Sequence, residues 1–213
     1  MMAGTHAQPD YQVRKHKGLE GGNGTEPGLV MARYQPLYTL EGMPLPTARV
    51  VLPESIPEPC KQLLHHNHNM TPTLSKYVMG DAKLIVHYQT YFPDTLSINR
   101  IITLECRGYC VEFSSITIFL SSIPEHLHKC ILSGAIPLGT ALLQSGITHN
   151  CQPDIYIQCR CEPLINRLFA NSHDEFVYGR RNRLVSSEGQ IIAELIEIIP
   201  GPQSIVSIHT RTS

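Results

Sequence analysis

The chain has 213 residues, seventeen basic and eighteen acidic side chains, a formal net charge of -1 and no tryptophan. That length suits one domain with a sizeable core, and the balanced charge gives nucleic acid or an anionic membrane nothing to attract. The apolar runs are too short to span a bilayer, the first twenty residues lack an apolar signal core, and seven scattered cysteines suit reduced thiols, so a cytoplasmic protein is expected.

Residues 1–35 carry Gly, Gln and Lys without periodicity and predict a flexible segment. Residues 36–54 are punctuated by prolines and predict an extended arm. Residues 54–66 predict a short helix, with Pro57 and Pro59 near its start. The period then changes. Residues 83–92, 98–106 and 109–119 are rich in β-branched and aromatic side chains and predict strands, with Arg107-Gly108 as a two-residue hairpin turn. A helix follows over 121–134, with Pro124 in its first turn and Gly134 at its end, and a second, shorter one over 137–146. Three more strands are predicted over 154–159, 175–185 and 189–199, and residues 201–213 are expected to form a C-terminal tail.

Strands in neighbouring pairs, with helices clustered at the start and middle, predict an α+β domain over 55–200. Its core is a single antiparallel sheet of about six strands with helices packed on one face. The closing strand poses a question of its own. Side chains alternate along a strand, so Ile192, Glu194, Ile196 and Ile198 share one face, while Ile191, Ala193, Leu195, Glu197 and Ile199 share the other. In a sheet covered on one side, one glutamate meets water and the other points into something closed. Parity alone does not say which.

Several chemistries are unsupported. There is no GxGxxG, no phosphate-binding GxxxxGK[ST] and no GxSxG. Cys106 and Cys110, the pair Cys159 and Cys161, and the run His65-His66-Asn67-His68 look metal-like singly. None has the partner spacing that a zinc site requires, so they are expected to be structural or solvated and no metal is expected.

"IPLGTALLQSGI" (136–147) followed by "YGRRNRLVSSEGQIIAELIEIIP" (178–200) resembles the second half of the chorismate lyase family, in a turn, a Gly-Arg-Arg strand and a closing strand. "HNHNMTPTL" (66–74) resembles the family's Ser-Met-Thr helix end, and "NRIITLECRG" (99–108) its strand with an arginine eight residues before a hairpin glycine. The resemblance covers roughly residues 55–200. It implies a cofactor-independent, metal-free lyase that converts chorismate to 4-hydroxybenzoate and pyruvate, feeding quinone or aromatic natural-product synthesis. By the same resemblance Glu197 is the active-site glutamate and Glu194 is outward. Arg100 grips the ring carboxylate, Leu138 meets the ligand through its backbone, and Met70 and Thr71 help to close the pocket. Ser115 stands where well-known members carry a second arginine.

The chemistry needs these residue types. An arginine fork matches a carboxylate bidentately, and a buried glutamate can give or share a proton at the ether oxygen. Arg180, Arg181 and Arg183 alternate faces, which predicts outward ion pairs and one inward arginine that stands in for the missing one. The stretch 151–174 is long for the family, and its "PLINRLFA" predicts an extra helix over the pocket mouth. A second reading is a non-catalytic binding domain of the same fold for a small aromatic or carboxylic acid, as in the effector domains of one repressor family. A repressor would place a basic helix-turn-helix ahead of the domain. Residues 1–50 show no such pair of helices, so the enzyme reading is favoured.

Overall fold

Seven segments dominated by β-branched and aromatic residues are strands in the computed structural model, which describes residues 27–170 and 173–210. They are β1 (Ala48–Val51), β2 (Ala82–Phe92), β3 (Ser97–Cys106), β4 (Tyr109–Phe119), β5 (His149–Arg160), β6 (Phe176–Ser186) and β7 (Ile191–Ile199). All pair antiparallel, in the order β1-β5-β6-β7-β4-β3-β2. The expected α+β antiparallel sheet is therefore present, with β1 as a seventh strand. The Arg107-Gly108 turn joins β3 to β4 with both residues at positive φ, 53° and 81°. That is the twist a two-residue hairpin demands, and glycine accepts it without strain.

Eight α-helices complete the described chain: α1 (Pro27–Ala32), α2 (Gln35–Leu40), α3 (Cys60–Leu64), α4 (Met70–Val78), α5 (Glu125–Ser133), α6 (Leu138–Gln144), α7 (Pro163–Leu168) and α8 (Pro202–Thr210). Helix α4 was not anticipated, although Met70, Leu74 and Val78 recur four apart and are all buried. It begins with the Thr73 hydroxyl donating to the Asn69 carbonyl at 2.9 Å. Helix α5 ends on Gly134 at φ 63°, a left-handed cap.

Two apolar clusters lie on opposite faces of the sheet. On the first face, α3, α4, α5, α6 and α8 bring Leu64, Leu74, Ile131, Leu142 and Ile205 onto Ile102, Ile116, Leu195 and Ile199. On the second, α1, α2 and α7 bring Met31, Tyr34, Leu37 and Ile165 onto Ile101, Phe113, Ile196 and Ile198. Each fully buried Leu or Ile contributes about 1.5–3 kcal/mol, so both faces hold substantial stabilisation.

The second cluster corrects several expectations. The flexible segment expected over 1–35 gives way to helix from Pro27, and its residues 1–26 lie outside the described residues. The apolar spacing Val30, Met31, Tyr34, Leu37, Tyr38 fits a helical stripe, and all five are buried. The extended arm expected over 36–54 begins as α2 and ends as β1, whose Ala48–Val51 pair with Cys159–Tyr156 of β5. The tail expected from 201 is α8, anchored by Ile205 and Ile208. The helix expected over a pocket mouth exists as α7, but it packs under the second face. Among the described residues, no helix is long and apolar enough to cross a membrane.

Candidate functional site

Strand β7 lies at the centre of the sheet, between β6 and β4. Its register sets Glu197 opposite Arg180 of β6 and Ser114 of β4, all facing the first cluster. Period two along β3, β4 and β6 adds Arg100, Glu112 and Asn182 to that face. Six polar side chains, each at most 3% exposed, thus converge inside an aliphatic layer: Arg100, Glu112, Ser114, Arg180, Asn182 and Glu197. Burying so many polar groups is costly unless they satisfy one another.

Most do. The Arg180 Nε donates to Glu197 Oε2 at 2.6 Å, and its Nη atoms donate to the carbonyls of Leu64, His66 and His68 at 3.0, 2.8 and 3.1 Å. The stretch 65–68 is therefore a loop stitched to the sheet by one buried guanidinium. His66 sits beside that guanidinium, and burial first, then Arg180, hold its imidazole below the usual value. The Asn182 amide nitrogen lies 3.4 Å from Glu197 Oε2. Arg100 Nε donates to Gln89 Oε1 at 2.6 Å, and its Nη2 to the Ile131 carbonyl at the end of α5. The turn after α5 comes close to that guanidinium: a Cβ on Gly134 would stand 3.6 Å from its central carbon and 3.1 Å from Val86.

Glu112 is different. The Ser114 hydroxyl donates to its Oε1, while its Oε2 and the Asn182 Oδ1 have no hydrogen-bond partner. Burial first, then the neighbouring Glu197 carboxylate, pushes the Glu112 carboxyl up to about 8, so it holds its proton at neutral pH.

Four of these groups border a partly open cavity of about 40 Å³ between the sheet and the starts of α4 and α6. Arg100, Glu112, Asn182 and Glu197 are in its wall, with Leu84, Ile102, Leu104, Ile116, Leu184 and Leu195 as aliphatic lining. Met70 and Thr71 close it from α4, and Pro137, Leu138 and Gly139 from α6. A cavity of this size holds a few waters, at about 10–15 Å³ each, and is smaller than the ring-bearing ligand that the chorismate lyase resemblance implies. Asn69 lines it and also an outer groove of about 430 Å³ beside His68, Lys76, His149 and Cys151.

The site residues named from the sequence divide accordingly. Arg100, Met70, Thr71, Leu138 and Glu197 border this cavity. Met70 and Thr71 do so from a helix start, not a helix end. Ser115 does not: it faces the second cluster, where its hydroxyl donates to the Arg33 carbonyl at 3.1 Å. The strand alternates, and its cavity-facing neighbour is Ser114. Glu194 also faces the second side, 3.4 Å from Arg33. Arg181 and Arg183 point outward to Asp154, at 2.7 Å each. Arg180 is the inward arginine, but Glu197 and the 64–68 carbonyls engage it, so it is no substitute grip on a ligand. Glu112 and Asn182 were missed, although both share the parity of a cavity-facing neighbour.

Among the described residues, no three His, Cys, Asp or Glu side chains are grouped to hold a metal. Among the described residues the cysteines form no disulfide.

No protein-family model matches the chain, and no curated protein matches it. Solved structures do. The effector domain of PhnF from Mycobacterium smegmatis is 11% identical over 62% of this chain and 88% of that one, with a TM-score of 0.47. The effector binding domain of the B. subtilis trehalose repressor is 10% identical over 55% and 90%, TM-score 0.41. A GntR-family transcriptional regulator from Bacillus cereus is 8% identical over 56% and 91%, TM-score 0.39. Likeness at this identity concerns the fold alone. The matched structures named here are effector domains and a transcriptional regulator, and the chorismate pyruvate-lyase activity expected from the sequence is corrected on the geometry of the site. Glu197, expected to give a proton to the ether oxygen, is the acceptor of a buried ion pair with Arg180.

Proposed function

We propose that this chain is a binding domain, without catalytic activity of its own, for a small organic acid seated in the cavity under α4 and α6. One observation carries the reading: a small, largely aliphatic space has a buried arginine, Arg100, in its wall and buried polar groups around it. A guanidinium meets a carboxylate with parallel N–H bonds, and a few placed polar groups in an apolar pocket are the usual form of a ligand site. Asn69, shared with the outer groove, marks the way in. The first turns of α4 and α6 set the width, so a ligand wider than an alkyl chain must part them.

Thermal unfolding in the presence of aliphatic and aromatic monocarboxylates, from acetate to 4-hydroxybenzoate, tests this. A ligand at one hundred times its Kd adds about 2.7 kcal/mol of stability, a Tm rise of roughly 5–10 °C for a chain of this size. Arg100→Lys keeps the charge and loses the fork, and binding should weaken about tenfold. No shift with any acid at millimolar concentration, or equal binding by Arg100→Lys, overturns the reading.

A further inference from the structure

The loop 65–68 runs from the end of α3 to Asn69, Met70 and Thr71, which line the cavity. His66 lies in the middle of this loop, and its contacts fix one protonation state. Its Nε2 stands 2.7 Å from the Leu63 carbonyl, which can only accept, so Nε2 carries the hydrogen. Its Nδ1 receives the His68 backbone N–H at 3.1 Å and stands 3.4 Å from Arg180 Nη1. Both of those groups can only donate, so Nδ1 is bare. The ring is the neutral Nε2–H tautomer.

A proton on Nδ1 would turn that acceptor into a donor, aimed at a backbone N–H and a guanidinium that cannot accept it. The same guanidinium holds the loop, through the Leu64, His66 and His68 carbonyls. The charged and titratable groups around the ring are Arg180 from β6, Glu197 from β7 and His68 from its own loop. Burial opposes a charged ring most, then Arg180, while the Leu63 carbonyl favours it. His68, stacked on His66 with centroids 5.6 Å apart, opposes it as well. Glu197 favours it least, being paired with Arg180 at 2.6 Å. The neighbouring His65 turns away, edge-on to Tyr156 of β5.

We propose that His66 is an acid-released latch: a proton taken from solvent onto Nδ1 loosens the 65–68 loop from Arg180, and Asn69 and Met70 move with it to open the cavity. The latch belongs to the loop and does not depend on what the cavity binds. Its sign follows from the lowered value of the held ring. A released ring, at the ordinary value of about 6.5, binds the proton more tightly than the held one. The closed loop is therefore at full strength above about pH 6.5 and weakens as pH falls, by at most about tenfold in the opening equilibrium per unit. Glu112, shifted the other way, acts on overall stability with the opposite sign, so the loop itself must be read.

Two measurements on the full chain, from about pH 8 to 5, test the proposal. NMR of the histidine ring nitrogens should show His66 as the Nε2–H tautomer at the alkaline end, titrating below about 6.5. Amide hydrogen exchange, corrected for intrinsic rates, should show residues 68–71 losing protection at least about threefold between pH 7 and 5. The amides of β7 should show no such loss. His66→Gln, checked for folding by circular dichroism, cannot take up the proton and should hold the loop's protection level across the range. A hydrogen on Nδ1 at pH 8, a His66 midpoint at or above about 6.5, loop protection that ignores pH, or the same acid loss in His66→Gln overturns the proposal. If the variant does not fold, ring titration and loop exchange of the parent chain decide.

Discussion

Glu197 and Glu194 stand three residues apart on one strand and each is met by an arginine, yet the two pairs are physically unlike. The Arg180–Glu197 side chains are 0% and 4% exposed, against 22% and 40% for Arg33–Glu194. The buried pair cannot trade its partners for water, so what matters is the cost of breaking it, not the worth of making it. The half-buried pair is reached by water and is more easily replaced. On the cavity face, arginine holds a polar cluster inside aliphatic walls. On the other face, Tyr34 closes a dry layer by donating to the Phe113 and Ile196 carbonyls at 3.1 and 2.8 Å.

The largest expected effect comes from breaking the buried pair. Arg180→Met leaves Glu197 and three loop carbonyls without their donor and should cost about 3–5 kcal/mol in urea unfolding. A loss under 1 kcal/mol would mean that the cluster is wetter than its burial indicates.

The second test is pH. The folded-state value of Glu112, about 8, lies above the ordinary carboxylate range. The folded state therefore binds the extra proton, and stability is fullest below about pH 4.5. It should fall as pH rises toward 8, by at most about 1.4 kcal/mol per unit. Glu112→Gln should flatten that part of the profile, and unchanged steepness would assign the slope to another group.

The dry face gives a smaller effect. Tyr34→Phe keeps the ring against Phe113, whose centroid is 4.6 Å away, and removes only the hydroxyl. It should cost about 1–2 kcal/mol, because the two carbonyls lose that donor.

The smallest effect should come from Glu194→Gln, within about 0.5 kcal/mol of the parent. If instead it cost as much as Arg180→Met, the contrast between the two faces would collapse.

The sequence carried the sheet well, because alternation and the Arg107-Gly108 turn are local signals. Strands 83–92, 98–106 and 109–119 each lie within a residue of their observed ends. The cover was less legible. Helices α1 and α2 are six residues each, with a break at Arg33-Tyr34, too short for a period to stand out. Parity placed Glu197 and Glu194 on opposite faces, but only the tertiary pairing of β4 with β7 reveals that Glu112 lies near Glu197. Nothing local in "YCVEFSS" separates a cavity acid from an ordinary strand acid. Ser115 was assigned by counting from Arg100 and fell on the wrong face, since the β-bulge between Leu104 and Glu105 makes separations along β3 and β4 unequal.

The strand order has a consequence for how the domain comes into being. Strands β2, β3 and β4 form one meander and β5, β6 and β7 another, and each can zip through neighbours in sequence. They join along a single seam, β4 to β7, which pairs Phe113 with Ile198 across 85 residues. Such non-local closure bears the entropic cost of the whole intervening loop and is slow to form. The cavity straddles the seam: Arg100 and Glu112 come from the first meander, Asn182 and Glu197 from the second. Neither half contains the cavity. It exists only once the two have docked, so whatever occupies it clasps the last-formed joint of the fold and holds shut the opening by which the sheet would first come apart.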